Sequence, residues 1–435
     1  MAQTTKIWRL KRGSDRRVRA GHPWVYSNEL QGSPKGISPG EKILLFDAAG
    51  KFLAHGYGNP SSLIAFRAVS RVEEDANWDS VSQLTKRLQA AWDFRANIGV
   101  GASSFRWVYG EGDDFPGLIL DVYRTVSEPA AGEKAAKDGL VVVLQAHTAG
   151  VDRLIPHLLQ AVEAVAHPDA VVLRNDVSHR KLEGVLMEEP KVLGKINPDG
   201  EWIRVRSADT ASEKPVLFKV DLVGGQKTGF FLDQAENIRQ FLDLTLRSIL
   251  TKPKGSKIKV LDLCCYVGQW STQISAALKA RGFVAEVLLV DSSARALAFA
   301  KANVEKAGGK AEVVEADVLA DLAKLKDVDF DIVLCDPPAL IPSRKDISVG
   351  AAAYLKLNTD AFRLLADGGW IVSCSCSQLL EEESFARQVS RASIRNEKNM
   401  RWLARGTQAL DHPLRLEFPE GKYLKMWIGR DAGKI

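Results

Sequence analysis

The sequence is poor in the features that mark disulfide-rich and zinc-binding proteins. It has five cysteines in 435 residues, and the close pairs Cys264/Cys265 and Cys374/Cys376 lack the two-residue gap of a zinc knuckle. An odd number of cysteines, with two of them adjacent, argues against a disulfide framework. We therefore predict free thiols and no metal site.

The sequence also lacks long apolar runs. None reaches the roughly 18 to 20 residues that a membrane span needs, and the segment MAQTTKIWRLKRGSDRR has no apolar stretch typical of a secretion signal. These absences predict a cytoplasmic protein that does not contact membranes.

Charge is nearly balanced overall, with a net charge of only +5, but its distribution is uneven. The N-terminal segment concentrates basic residues opposed only by Asp15, and the aromatic stretch GHPWVYSNEL follows it. Cations interleaved with aromatic rings favour RNA, although a solvated charged face is the alternative. The basic residues of this segment are Lys6, Arg9, Lys11, Arg12, Arg16, Arg17 and Arg19.

The hydrophobic pattern divides the chain into three predicted domains. Residues 1–75 show short strands separated by glycine and proline turns, which indicates a small β-domain. Residues 76–207 begin with a predicted helix from about Asn77 to Ile98. They then read as strand, strand, helix, strand, strand, with a polar loop over Ser127–Gly139 and the last strand in KLEGVL. Residues 208–435 alternate strands and helices, so we predict an α/β fold with a doubly wound, mostly parallel sheet.

In such a sheet, ligands bind at the carboxyl ends of the strands. The first strand of this domain leads into LDLCCYVGQWS, where Gly268 is the only glycine, so a dinucleotide fingerprint is absent. The next two strands are predicted to end at Asp291 and at Asp317, which suit a ribose and an adenine amino group. Each could instead cap the following helix. Together they predict S-adenosylmethionine as the cofactor.

Two further strand ends carry candidate catalytic residues. Asp336 precedes two prolines, which fix the backbone where a flat base could hydrogen-bond to the carboxylate; a purely structural turn is the alternative. Cys374 and Cys376 lie two residues apart on one strand, so they share a face, and only Cys376 is near enough to the carboxyl end to reach a pocket. We expect Cys374 and Cys335 to be buried in packing.

Several motifs together resemble the bacterial 23S rRNA cytosine-5 methyltransferases that carry a PUA domain. They are RAGHPWVYSNEL, GEGDDFPGLILDVY, GQKTGFFLDQAENIR, YVGQW, DPP, SCS and DHPLRLEFPEGKYLK. The resemblance covers nearly the whole chain. It implies a PUA-like RNA-binding domain, a central mixed domain and a class I S-adenosylmethionine-dependent methyltransferase domain in the three predicted ranges.

The resemblance also implies roles for individual residues. Cys376 would be the nucleophile. The residues implied to lie around the cofactor are Phe231, Asp233, Tyr266, Gly268, Asp291, Asp317 and Asp336. The chain departs from the family pattern at Gln269, where a second glycine is usual, and at Ala235 and Ile238, where arginines are usual.

The predicted reaction is methylation of carbon 5 of a cytosine that has left the base stack in RNA, with 23S rRNA as the expected substrate. Methylation of an exocyclic amine is one alternative, but Ala339 stands after the two prolines where that class has an aromatic residue. A non-catalytic RNA-binding protein with a vestigial methyltransferase domain is another. A homodimer is a candidate assembly, and the sequence does not determine the oligomeric state.

Overall fold

The computed structural model describes residues 6–127, 137–322, 325 and 328–433. It divides into two compact units: Met1–Asp199 with Asp221–Gly229 and Leu410–Gly421, and Gly200–Val220 with Phe230–Ala409 and Lys422–Ile435. The first unit contains both an N-terminal sheet and a second sheet. The division into three domains stays a prediction, and residues 128–136 of the predicted polar loop lie outside the described residues.

The N-terminal sheet of the first unit has five strands in the order β1-β3-β4-β5-β2. Only β1 and β3 pair in parallel, and the other neighbours are antiparallel. Its core contains Leu10, Val25, Leu45 and Phe66. The elements are β1 (Lys6–Arg9), α1 (Arg16–Arg19), β2 (Trp24–Tyr26), β3 (Glu41–Phe46), β4 (Phe52–Gly58) and β5 (Ile64–Ser70).

The second group of elements in this unit mixes strands and helices, as predicted. Strands β6 and β8 pair antiparallel with β7, β9 runs parallel to β8, and β10 closes antiparallel on β9. The elements are α2 (Val81–Asn97), β6 (Phe105–Tyr109), β7 (Leu118–Val126), β8 (Asp138–Ala146), α3 (Ala149–Ala166), β9 (Ala170–Leu173) and β10 (Lys191–Gly194).

The prediction of a strand in KLEGVL was wrong. Ser178–Glu183 forms a 3-10 helix instead, and Gly184 ends it in the left-handed conformation. Two charged side chains explain the difference, because both are buried: Arg180 donates to the carbonyls of Leu186 and Ala146, and Glu183 accepts from Arg67. A strand would alternate these anchors between opposite faces.

The second unit contains a seven-stranded sheet in the order β15-β14-β13-β16-β17-β19-β18. Strands β13 to β17 are parallel, and β19 and β18 extend the sheet antiparallel. The elements are β11 (Glu201–Val205), β12 (Val216–Val220), α4 (Ala235–Ile249), β13 (Lys257–Leu263), α5 (Gln269–Lys279), β14 (Val284–Asp291), α6 (Ala294–Lys306), β15 (Lys310–Glu315), β16 (Phe330–Cys335), α7 (Ile347–Arg363), β17 (Leu365–Ser375), α8 (Glu382–Arg395), β18 (Met400–Gly406) and β19 (Lys425–Asp431).

Helices cover both faces of this sheet, which confirms the predicted doubly wound fold. Residues of α4, α5 and α6 pack with Ile258 and Val260 on one face. Residues of α7 and α8 pack with Leu261 and Leu263 on the other. The strand order reverses between β13 and β16, so this fold places its ligand crevice at the carboxyl ends of those two strands.

Within the described residues, no helix is long and apolar enough to cross a membrane.

Candidate active site

The predicted site residues of the second unit lie at one edge of its sheet. Gly268 ends the turn after β13, Asp291 is the last residue of β14, and Asp336 and Cys376 directly follow β16 and β17. Parallel strands bring these carboxyl ends to the same edge. The fold therefore places residues from four strand ends along one crevice.

The turn after β13 has an unusual backbone. Cys264, Tyr266 and Gly268 all have positive φ, at 59°, 50° and 71°. Non-glycine residues rarely adopt this conformation, and such strain concentrates at functional sites. At Gly268, an added Cβ would lie 3.2 Å from the Cβ of Ala300, so glycine fits where the chain enters α5.

Asp291 joins this turn to its own strand end. Its carboxylate accepts the backbone N–H of Tyr266 at 2.9 Å and that of Ser293 at 3.0 Å. The Phe231 ring lies edge-on to the Tyr266 ring, with centroids 5.1 Å apart. Phe231, Tyr266 and Asp291 thus form one contiguous group beside Gly268.

Asp317 is placed differently. It lies two residues beyond β15, is exposed, and accepts the backbone N–H of Leu319 at 2.8 Å. The backbone N–H of Ala316 donates to the Asp291 carbonyl at 3.0 Å, which keeps this segment next to the strand end of β14. The Asp317 carboxylate therefore caps a turn at the margin of the site.

The Asp336 carboxylate is held by two side-chain donors. Gln234 Nε2 and Trp270 Nε1 both donate to Oδ2, at 2.7 and 3.1 Å. Asn237 Nδ2 in turn donates to Gln234 Oε1 at 2.7 Å, and Gln234 and Asn237 are both buried. Sequence reasoning missed Gln234, although it lies in one of the family motifs, because nothing local connects it with Asp336.

Asp233, next to Gln234, is also fixed. Its carboxylate accepts the hydroxyl of Tyr423, and its carbonyl accepts the Ala409 N–H at 2.9 Å. The 3-10 helix Leu232–Gln234 therefore carries two anchored polar side chains into the same region.

Cys376 lies beside the segment that follows Asp336. It is half-buried, and its Sγ is 3.8 Å from the carbonyl oxygen of Pro337. The neighbouring Ser377 Oγ accepts the backbone N–H groups of Leu340 and Ile341 at 3.0 and 3.2 Å. These bonds fix the end of β17 to the segment that carries Asp336.

The other four thiols lie in different environments. Cys374 packs with the α4–α6 face of the sheet, and Cys335 is in the core of the opposite face. Burial raises the pKa of Cys264, Cys265, Cys335 and Cys374. Burial in apolar surroundings makes a cysteine inert, because the thiolate is the reactive form.

The site contains a further buried acid, Asp262, that sequence reasoning did not single out. Asp262 on β13 is buried and accepts the hydroxyl of Ser271, and burial raises its pKa to about 7. The nearby carboxylates of Asp336 and Asp291 contribute to this rise in pKa, and the hydrogen bond from Ser271 opposes it. Its titration therefore falls in the neutral range, as expected for acids in ligand sites.

These features suit an adenosine-containing sulfonium cofactor. The strained turn lies beside the Asp291 carboxylate, and the anchored carboxylates suit ribose hydroxyls and a positive charge. Thr272, in the first turn of α5, is fully buried, and among the described residues its hydroxyl has no hydrogen-bond partner. Buried hydroxyls of this kind are usually completed by a ligand or water.

The predicted RNA-binding residues of the first unit separate into two sets. Arg17 donates to Trp24 O at 3.1 Å and stacks over Tyr26, and Arg19 pairs with Asp15 and Asp47. The other predicted RNA-binding residues, Arg9, Lys11, Arg12 and Arg16, are exposed. Lys11 Nζ donates to Asn28 O at 2.9 Å, whereas within the described residues Arg9, Arg12 and Arg16 make no side-chain hydrogen bond or ion pair.

The aromatic residues after the basic segment are engaged in packing. The Trp24 ring lies 4.8 Å from that of Phe418, and its Nε1 donates to Glu111 at 2.7 Å. His22 is buried, and burial lowers its pKa. The Trp24 and His22 rings therefore pack inside this unit, next to the basic segment.

Among the described residues, no group of three or more His, Cys, Asp or Glu side chains could hold a metal ion.

Two family models match the chain. The PUA-like domain matches residues 9–71, and the methyltransferase small domain matches residues 242–401. The first range lies in the N-terminal sheet and the second in the seven-stranded sheet. Both matches agree with the fold described above.

Solved structures share the whole fold. A candidate S-adenosylmethionine-dependent methyltransferase from Streptococcus mutans superposes with a TM-score of 0.71 at 18% identity, covering 98% of this chain and 100% of that one. A candidate methyltransferase in complex with SAH gives a TM-score of 0.72 at 18% identity, with the same coverage. At this identity the likeness establishes the class I methyltransferase fold.

Curated relatives are similar over almost their full length. Ribosomal RNA large subunit methyltransferase I of Cronobacter sakazakii is 31% identical over 423 residues, covering 96% of this chain and 97% of the relative. Its counterpart in Photobacterium profundum is 30% identical over 433 residues, covering 97% and 98%. The chain therefore belongs to the PUA-domain-containing family of S-adenosylmethionine-dependent methyltransferases that includes ribosomal RNA large subunit methyltransferase I.

Proposed function

We propose that this methyltransferase acts on carbon 5 of a cytosine in RNA and that Cys376 is its nucleophile. One observation carries the proposal: among the five cysteines, Cys376 is the one that is both half-buried and next to the Asp336-Pro337 segment. Cys374, two residues earlier, is fully buried in the sheet packing. A nucleophile must be accessible to its substrate, and Cys376 meets that requirement.

The chemistry needs a thiolate because carbon 5 of cytosine is a weak nucleophile. The Cys376 thiolate adds to carbon 6, a carbon–sulfur bond forms, and the electron pair shifts toward carbon 5. S-adenosylmethionine, when bound, would supply the electrophilic methyl group to carbon 5, and S-adenosylhomocysteine would be the leaving group. A base then removes the proton from carbon 5, the carbon–sulfur bond breaks, and the thiolate leaves.

Asp336 is proposed to orient the base through its N3/N4 edge. The bonds from Gln234 and Trp270 to Oδ2 fix the carboxylate before substrate arrives, which is how binding groups contribute to orientation. The residues proposed to surround the cofactor are Phe231, Asp233, Tyr266, Gly268, Asp291, Asp317 and Asp336.

Ribosomal RNA of the large subunit is the proposed substrate, because the relatives are named for it. The exposed arginines of the basic segment support an RNA ligand, since arginine binds phosphates through several donors. An enzyme that acts on a base must take it out of the stack, so the target is proposed to lie in a loop or another single-stranded region.

The test is to incubate large-subunit rRNA with the full chain and methyl-deuterated S-adenosylmethionine and identify the product by nucleoside mass spectrometry. We expect labelled 5-methylcytidine, lost by at least about 1,000-fold in Cys376→Ala, because a covalent nucleophile has no substitute. The matched variant Cys374→Ala should keep most of the activity. Labelled N4-methylcytidine, or an active Cys376→Ala enzyme, would overturn the proposal.

A further inference from the structure

Lys425 is a buried lysine next to the end of β17. It is the first residue of β19 and lies opposite Ser375 in the antiparallel register. Its side chain is buried, with 6% of the residue exposed. The ammonium Nζ donates to the carbonyls of Ser377 and Tyr423, at 2.8 and 3.0 Å. Lys425 thus reaches the residue that directly follows Cys376.

This ammonium has no carboxylate partner among the described residues. Glu382, the acid near it, is engaged by Lys422 at 3.2 Å and by Arg405 at 3.7 Å. A buried charge is costly unless an opposite charge accompanies it. The two carbonyls satisfy hydrogen bonds but leave the positive charge without an anion.

Cys376 can supply that anion. Burial lowers the pKa of Lys425 to about 8, whereas negative charge on Cys376 raises it, so the two groups interact electrostatically. A thiolate in turn needs a nearby cation to form at neutral pH. The other titratable and charged groups around the two side chains are Asp336, Tyr354, Cys374, Glu382 and Lys422.

None of those other groups can take the place of Lys425. Asp336 and Glu382 are acids that disfavour a second negative charge, and Lys422 is exposed and already paired with Glu382. Burial raises the pKa of Tyr354 to about 12 and also that of Cys374, so both stay neutral near pH 7.

We propose that Lys425 is a positioning residue that stabilises the thiolate of Cys376 and holds the end of β17 in place through the Ser377 carbonyl. The Cys376 sulfur–hydrogen bond breaks, its proton passes to solvent, and the Lys425 ammonium keeps all of its protons. The role rests on the proposed nucleophile, but the ion pair can be tested without RNA or cofactor.

The experiment measures alkylation of Cys376 by iodoacetamide in the full-length chain from pH 5.5 to 9.5, followed by peptide mass spectrometry. In Lys425→Met we expect the pH of half-maximal rate to rise by at least about one unit and the rate at pH 7 to fall about tenfold, since only the thiolate reacts. Lys425→Arg should stay close to the wild type. Lys422→Met, which removes a neighbouring exposed charge, should change neither value.

An unchanged alkylation profile in Lys425→Met would overturn the proposal. If that variant does not fold by circular dichroism, Lys425→Gln replaces it, and equal profiles for Lys425→Gln and Lys425→Arg would overturn it as well. Failure of the proposed function looks different. In that case the alkylation shift would be present while Cys376→Ala still methylates rRNA. The ion pair between Lys425 and Cys376 would then be supported, and the assignment of Cys376 as the nucleophile would be wrong.

Discussion

The strand-end site and the basic segment use charged side chains in opposite ways. At this site Asp291 and Asp336 lie at strand ends and Asp233 lies in the 3-10 helix Leu232–Gln234. Each of the three carboxylates accepts a hydrogen bond from another residue of the unit. In the basic segment, Arg9 and Arg12 are exposed, and within the described residues their side chains have no partner. Chemistry needs groups fixed to a fraction of an ångström, whereas phosphate contacts tolerate mobile cations. A single substitution should therefore cause a large loss of activity at the strand-end site and only a small loss of RNA affinity in the basic segment.

Among substitutions of residues other than the proposed nucleophile, the largest effect is expected for Gln234→Leu, which removes a side-chain donor to Asp336. Losing a hydrogen bond to a charged group costs about 1.5 to 3 kcal/mol, so kcat should fall roughly 10- to 100-fold while cofactor affinity changes little. Single-turnover methylation of rRNA measures this loss. Gln273→Leu is the matched control, because Gln273 is also buried in this unit but bonds to Arg206 and Ala208. Equal losses in both variants would mean that Gln234 is merely structural.

A smaller effect is expected at the proposed cofactor carboxylates, and it should differ between them. Asp291→Ala should weaken S-adenosylmethionine binding by about 1 to 3 kcal/mol, because Asp291 is buried beside the strained turn. Asp317→Ala should cost less than about 1 kcal/mol, because Asp317 is exposed and caps a turn. Calorimetric titration of the two variants measures the difference. A greater loss of cofactor affinity in Asp317→Ala than in Asp291→Ala would contradict the placement of Asp317 at the margin of the site.

The smallest effect per residue is expected in the basic segment. Replacing Arg9, Arg12 and Arg16 together by alanine should weaken RNA binding and lower the salt slope by about 2, at roughly 0.7 per phosphate contact to a single strand. Cofactor affinity should not change. The control removes equal charge from α8, by replacing the exposed Arg387, Arg391 and Arg395. Binding isotherms at several salt concentrations that show the same slope for both triple variants would contradict a local role.

The parts of the fold that follow from local pattern could be predicted from the sequence. The apolar side chains of β13 are buried on both faces of the sheet, and Gly268 marks the turn into α5. Cys374 is predicted to be buried because it lies farther than Cys376 from the carboxyl end of its strand, and it is fully buried. Local pattern was less accurate at KLEGVL, where residues of the predicted strand form part of a 3-10 helix over Ser178–Glu183.

The contacts that complete the site could not be predicted, because they join residues far apart in the chain. Gln234 lies 102 residues from Asp336, and Lys425 lies 48 residues from Ser377. Neither residue stands out in composition or periodicity. Likewise, the sequence does not reveal that Arg17 and Arg19 are tied to neighbours while Arg9, Arg12 and Arg16 are not, since that depends on where Asp47 and Trp24 lie in the folded sheet.

The most direct test of the central claim is covalent trapping on rRNA transcribed with 5-fluorocytidine. Fluorine on carbon 5 cannot be removed as a proton, so the thiolate cannot leave and the enzyme stays attached to the RNA. With S-adenosylmethionine present, we predict an adduct that mass spectrometry maps to the peptide containing Cys376, retained in Cys374→Ala and absent in Cys376→Ala. An adduct that survives in Cys376→Ala, or one mapped to another residue, would contradict the assignment of Cys376 as the nucleophile.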